Sequence, residues 1–102
     1  MKKFILSVGL NDQETLTQLI KTDDAKKLIM ETLSKYVNGA TLTEQFGFYK
    51  HDDGRLTFEV AIKIELVFVK MSTVVEIVYI LKNLFNQETI LFETVETNSQ
   101  LI

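Results

Sequence analysis

Three charged residues stand at alternate positions of one apolar run, "LTFEVAIKIELVFV", residues 56–69: Glu59, Lys63 and Glu65. Two carboxylates on one surface can divide acid and base roles when their surroundings push their pKa values apart. The same three side chains also suit a solvated strand face with cross-strand ion pairs. Tyr49 and Thr57 fall on that face too, as does Ser7 of an earlier strand, so Tyr49, Glu59, Lys63, Glu65, Thr57 and Ser7 form the candidate face for a ligand or partner. The second cluster is His51-Asp52-Asp53, which holds the only histidine. Histidine is the commonest general base, but three ligands crowded into one turn lack the alternating spacing of a calcium loop. It reads as a polar turn, and no metal site is expected.

Other chemistry finds no support. There is no cysteine, hence no disulfide and no thiolate metal site. Gly9-Leu10-Asn11-Asp12 follows a strand but lacks the second glycine and the Gly-Lys-Ser/Thr of a phosphate loop. The first 51 residues carry seven Lys against six acids, and the remainder four basic residues against eight acids. An acidic chain with no basic stripe argues against nucleic acid as a partner. No catalytic constellation and no cofactor motif are present.

These residues must be positioned by a small scaffold. A chain of 102 residues supports one domain, 1–102. Every even position from Leu56 to Phe68 is apolar, which predicts a long strand with one core face. Lys3–Gly9, Thr41–Lys50 and Thr89–Val95 read as the other strands. Met1-Lys2-Lys3 before Phe4-Ile5-Leu6 superficially resembles a leader, but the apolar run is too short and reads as the first strand. Thr22-Asp23-Asp24 opens a helix with Ala25, Leu28, Ile29, Leu33, Tyr36 and Val37 on one stripe, ended by Asn38-Gly39. Thr73 and Glu76 form a capping box for a second helix, with Val75, Val78, Leu81, Leu84 and Phe85 inward and Val74, Ile77, Tyr79 and Ile80 widening the apolar arc. Asp53-Gly54 marks a hairpin turn. Residues 10–21 and the 97–102 tail carry no clear signal.

The order β-α-β-β-α-β predicts an α+β, ferredoxin-like fold: a four-stranded antiparallel sheet, strand order 4-1-3-2, with both helices on one face. The even side of the third strand, with Phe46, Phe48, Phe58 and Phe68, should then be core. The outer face should show Ile5, Leu91, Val67 and Val69, more apolar surface than an open sheet normally presents. That predicts self-association through those four residues.

Gly39, Thr41, Gly47, Tyr49, Asp53, Gly54 and Glu59, together with "SVGLND" and "FNQETIL", resemble small uncharacterised proteins of Firmicute chromosomes, prophages and other mobile elements. They are also similar to a wider ferredoxin-like family of unknown function. The resemblance implies an accessory role in a phage or mobile element, with host defence as one target. The leading expectation is a non-enzymatic, cytoplasmic interaction module that forms a homo-oligomer and acts on a host protein, with no cofactor and no membrane contact. The alternative is a small-ligand or nucleotide binder, or a small enzyme, with its pocket on the outer sheet face.

Overall fold

The computed structural model describes all 102 residues. Six elements follow in order: β1 (Lys2–Gly9), α1 (Thr22–Leu33), β2 (Thr41–Lys50), β3 (Leu56–Leu66), α2 (Met71–Leu84) and β4 (Leu91–Glu96). They form one antiparallel sheet of order β2-β3-β1-β4, the ferredoxin-like α+β arrangement the element order predicts. No helix is long and apolar enough to cross a membrane.

The central strands alternate as their sequence dictates. Leu6 lies opposite Ile64 on one side and Phe92 on the other, and Val8 lies opposite Ile62. These side chains meet Ala25, Ile29 and Leu33 of α1 and Val74, Ile77 and Leu81 of α2 in a single core. Apolar residues spaced three and four apart are what a helix needs to bury one stripe.

On α2, Leu81 and the C-cap residue Phe85 are buried and Val78 and Leu84 pack against the core as the sequence predicts, but in the first turns Val74 and Ile77 take the inner places and Val75 is exposed. The helix begins at Met71 after Lys70, so Thr73 lies within its first turn and caps nothing. Likewise α1 begins at Thr22 without a side-chain cap, and the Thr22 hydroxyl instead accepts a bond from Gln18 Nε2 at 3.0 Å. It ends at Leu33, ahead of Tyr36 and Gly39, and Gly39 has no positive φ.

The long strand is core over only part of its length. Ile62, Ile64 and Leu66 are fully buried, but Phe46, Phe48 and Phe58 are 73%, 67% and 54% exposed. They do occupy the helix side of the sheet, yet neither helix reaches them. The β2–β3 hairpin overhangs the helices, in a molecule whose overall extents are 48 × 25 × 23 Å. Sequence alternation reports a side chain's face, not what covers that face. At the other end β3 stops at Leu66. Phe68 turns to φ 59°, which breaks the alternation: Phe68 is exposed and Val69 packs against the core. Val69 is therefore not an outer-face residue.

The hairpin loop is closed by His51 N donating to Arg55 O at 2.8 Å and Gly54 N donating to His51 O at 2.9 Å. Gly54 has φ 89°, as an Asp-Gly turn requires. A Cβ there would touch nothing, so the cost of a side chain is conformational alone. Gly54→Val is expected to destabilise the domain by about 1 kcal/mol or more, read as a fall in urea midpoint; an unchanged midpoint would mean that the loop can re-form without a left-handed residue.

Candidate functional site

The outer face of the hairpin contains a notch made by absent side chains. Gly47 lies opposite Glu59 across β2 and β3, and Ala61 lies between Gln45 and Gly9. Gly47 withholds a side chain on one flank of Glu59, and Gly9 withholds one on the other. The Glu59 carboxyl lies across Gly9: a Cβ there would stand 2.6 Å from Cδ and both oxygens. The carboxyl can lie here only while position 9 is glycine, since a Cβ would push it aside. Asn11 N–H donates to Glu59 Oε2 at 3.0 Å, and Asn11 Nδ2 donates to Phe58 O at 3.0 Å. Glu59 Oε1 has no hydrogen-bond partner in the chain. The cavity beside it has a volume of about 330 Å³ and is lined by Gln45, Gly47, Tyr49, Glu59, Ala61 and the flanks of Phe46 and Phe48.

Tyr49 closes one end. It pairs with Thr57 across the hairpin, and its ring lies 5.1 Å from that of His51. His51 Nε2 sits 2.6 Å from Thr57 Oγ1. The lone histidine is thus held against the outer face and is half-buried, where sequence alone reads a free turn residue.

Tyr49, Glu59 and Thr57 are brought together as the candidate face requires; Lys63, Glu65 and Ser7 are not. Glu65 lies six residues along the strand from Glu59, about 20 Å at strand rise, and is held 2.6 Å from Lys3 Nζ. The two carboxylates cannot share a reacting atom, so an acid–base pair of Glu59 and Glu65 is excluded. Ser7 and Lys63 face each other, one rung beyond the Gly9–Ala61 pair that borders the notch. Gly9, Asn11, Gly47 and Ala61 join the candidate site without being among the face residues expected from sequence, and His51, read there as a polar turn residue, joins them. Small residues opposite a charged one were the available signal for Gly47 and Ala61, but only the register shows them adjacent.

The loop after β1 is locked by a polar latch that supports the notch. Asp12 Oδ2 accepts from Glu14 N and Thr15 N, each at 3.0 Å, and Oδ1 accepts from Asn86 Nδ2 at 2.7 Å. Gln13 Nε2 donates to Asn86 Oδ1 at 2.8 Å. "GLND" and "FNQ", far apart in sequence, are therefore one structural unit. The Asn86 side-chain bond holds the Asp12 carboxyl below its ordinary range, with the Thr15 and Glu14 amides adding to it. The Lys3 bond does the same for Glu65.

Both groups have folded pKa values below their unfolded ones. Their stabilisation is present above the unfolded carboxylate range and is lost as pH falls from there through the lower folded values. The urea midpoint is expected to drop below roughly pH 4, and Asp12→Asn should flatten that limb. Equal acid slopes in wild type and Asp12→Asn would exclude the latch as its cause.

The largest cavity, about 750 Å³, lies elsewhere, between Tyr36–Gly39 and Val67–Lys70. Its one charged lining residue is Lys70. No group of three His, Cys, Asp or Glu side chains converges to hold a metal. The outer face itself is less apolar than the alternation implies: Ile5 and Val67 are half-buried, and Leu91 is the exposed one at 58%.

No protein-family model matches this chain, and no curated protein sequence does. Solved structures do match in fold. A phage SAM lyase in complex with S-methyl-5'-thioadenosine superposes with a TM-score of 0.72 at 20% identity, over 93% of this chain and 80% of that one. CutA1 from Pyrococcus horikoshii gives 0.59 at 16% identity, over 99% and 87%. The periplasmic divalent cation tolerance protein CutA from Archaeoglobus fulgidus gives 0.56 at 14%, over 99% and 88%. At these identities the likeness is one of fold: the chain shares the architecture of a phage lyase and of the CutA proteins.

Proposed function

We propose that this chain binds a small cationic ligand bearing a planar base, of the S-adenosylmethionine class, in the Glu59 notch. The observation that carries the reading is a carboxylate set among the bare backbone of Gly47 and Gly9 and the single methyl of Ala61, with one oxygen left free. A carboxylate at the floor suits a sulfonium or ammonium group, and the Tyr49 ring on the same outer face offers a surface for a base. Fold likeness to a SAM lyase holding S-methyl-5'-thioadenosine supports the same class. A divalent-cation role like that of CutA has no donor set on this chain. The hairpin's resemblance to small prophage proteins fits a phage or mobile-element accessory role for such a binder, working in the cytoplasm as a homo-oligomer.

Calorimetry tests the reading with two ligands that differ in charge. S-adenosylmethionine should bind wild type, and Glu59→Gln should weaken it about tenfold or more, since a charged contact contributes ~1.5–3 kcal/mol. Uncharged S-methyl-5'-thioadenosine should lose much less. Loss of S-adenosylmethionine followed by chromatography separates a lyase from a binder. No heat with either ligand would discard the reading and favour a non-enzymatic module that docks on a host protein, for which exposed apolar surface outside the notch is the supporting feature.

A further inference from the structure

The outer face carries a second charged group one rung from the notch. Lys63 lies opposite Ser7 of β1 and Thr43 of β2, and Leu91 of β4 stands beyond Ser7. The sheet thus sets one lysine between two hydroxyls, with no acid on that rung. Lys63 is half-buried, yet it forms no ion pair. Glu65 and Glu93 stand on the rung beyond, on either side of Ile5. Lys3 holds Glu65 at 2.6 Å, and Lys63 adds to the field on Glu65 without bonding to it. The Ser7 and Thr43 hydroxyls likewise make no hydrogen bond within the chain. An ammonium and two O–H donors with nothing to donate to are the groups that a carboxylate accepts from.

Register fixes how far this rung lies from Glu59. The Glu59 carboxyl lies over Gly9, and Ser7 is two residues back along the same strand, about 7 Å at strand rise. The rung of Gly9 itself adds only the Ala61 methyl and, at the β2 edge, Gln45. A negative and a positive group therefore face the same solvent about 7 Å apart, with little side chain between them. In S-adenosylmethionine the sulfonium and the carboxyl carbon are four single bonds apart, roughly 5 Å when extended. With the sulfonium at Glu59, the carboxylate comes within reach of the lysine.

We infer that Lys63, with the Ser7 and Thr43 hydroxyls beside it, is a carboxylate subsite that takes the amino-acid end of a ligand whose cationic centre lies at Glu59. The inference rests on the reading of the notch given above and narrows it. The ligand is a zwitterion laid along β3, its base toward Tyr49, its cation at Glu59 and its carboxylate at Lys63. Tyr49 and Lys63 lie on opposite sides of Glu59 along the hairpin, so the three groups are met in that order. The charges also fix direction, since a reversed ligand would set carboxylate against carboxylate. Lys63 and Ser7, too far from the notch to share its chemistry, thereby contribute to recognition.

Calorimetry with decarboxylated S-adenosylmethionine tests the subsite, because that ligand keeps the base and the sulfonium and lacks only the carboxyl. Its higher net positive charge favours Glu59, so a preference for the carboxylate form has to come from a cation on the protein. Wild type should bind S-adenosylmethionine about tenfold or more tighter than the decarboxylated ligand, as for one charged hydrogen bond. Lys63→Met keeps the aliphatic stem and should remove the preference, weakening S-adenosylmethionine while the decarboxylated ligand binds no worse. Glu59→Gln should weaken both. Equal affinity of wild type for the two ligands, which needs no variant to measure, overturns the subsite and leaves the notch reading standing. So does a Lys63→Met protein that keeps the preference or weakens both ligands alike. No heat from either ligand overturns the notch reading and the subsite together.

Discussion

Ile64→Asp is expected to abolish folding. Ile64 has no exposed surface and lies between Leu6 of β1 and Leu42 of β2, at the centre of the sheet's helix side. A carboxylate there must enter an apolar site without a partner or a water. The cost is several kcal/mol even after the group protonates, and the apolar burial of the isoleucine side chain is forfeited as well. A domain of this size has roughly 5–15 kcal/mol in all, so one such substitution consumes most of it. Circular dichroism should show loss of the cooperative transition. Thr57→Asp, one strand length away on the outer face, should keep it and lose only the hydroxyl contact to His51. A cooperatively folded Ile64→Asp protein would place the β3 register one residue out.

Gly9→Ala should separate the notch from the fold. The added Cβ would stand 2.6 Å from the Glu59 carboxyl, closer than nonbonded atoms tolerate. The carboxyl is the free end of a flexible side chain, so it swings aside and the sheet survives. What is lost is its place in the notch and its bond from Asn11 N–H. If a cationic ligand depends on that carboxylate, affinity for S-adenosylmethionine should fall about tenfold or more, the equivalent of one charged hydrogen bond. The melting temperature should move by only a few degrees, as loss of about 1 kcal/mol does in a domain of this size. Gly39→Ala is the control, since a Cβ at Gly39 meets nothing within 4 Å. Equal affinity in Gly9→Ala and wild type would remove Glu59 from the binding site.

Both experiments turn on the boundary between what the chain's local pattern determines and what assembly decides. Strand β2, Thr41–Lys50, and the start of β3 at Leu56 are legible because alternation and an Asp-Gly turn are local signals, set by side chains two residues apart and by one left-handed glycine. The strand order follows from the β-α-β-β-α-β sequence of elements, since short connections leave few topologies. Helix α1 shows its inner stripe for the same reason.

The phase of α2 was decided by tertiary packing. Val74, Val75, Ile77, Val78 and Ile80 are apolar almost all round, so while periodicity picks out Leu81 and Phe85, nothing local selects Val74 and Ile77 over Val75 until the sheet supplies a surface. Coverage of β3 was also a tertiary outcome. Phe58 and Ile64 have the same type and parity, yet one is open and the other sealed, because helix reach depends on where α1 and α2 end and not on the strand itself. The site was divided in the same way. Tyr49, Glu59 and Thr57 can be assigned to one face from parity alone. Gly9 and Asn11 join them only through the pairing of β1 with β3, about 50 residues apart in sequence, and long-range register is a property of the folded sheet that no local window contains.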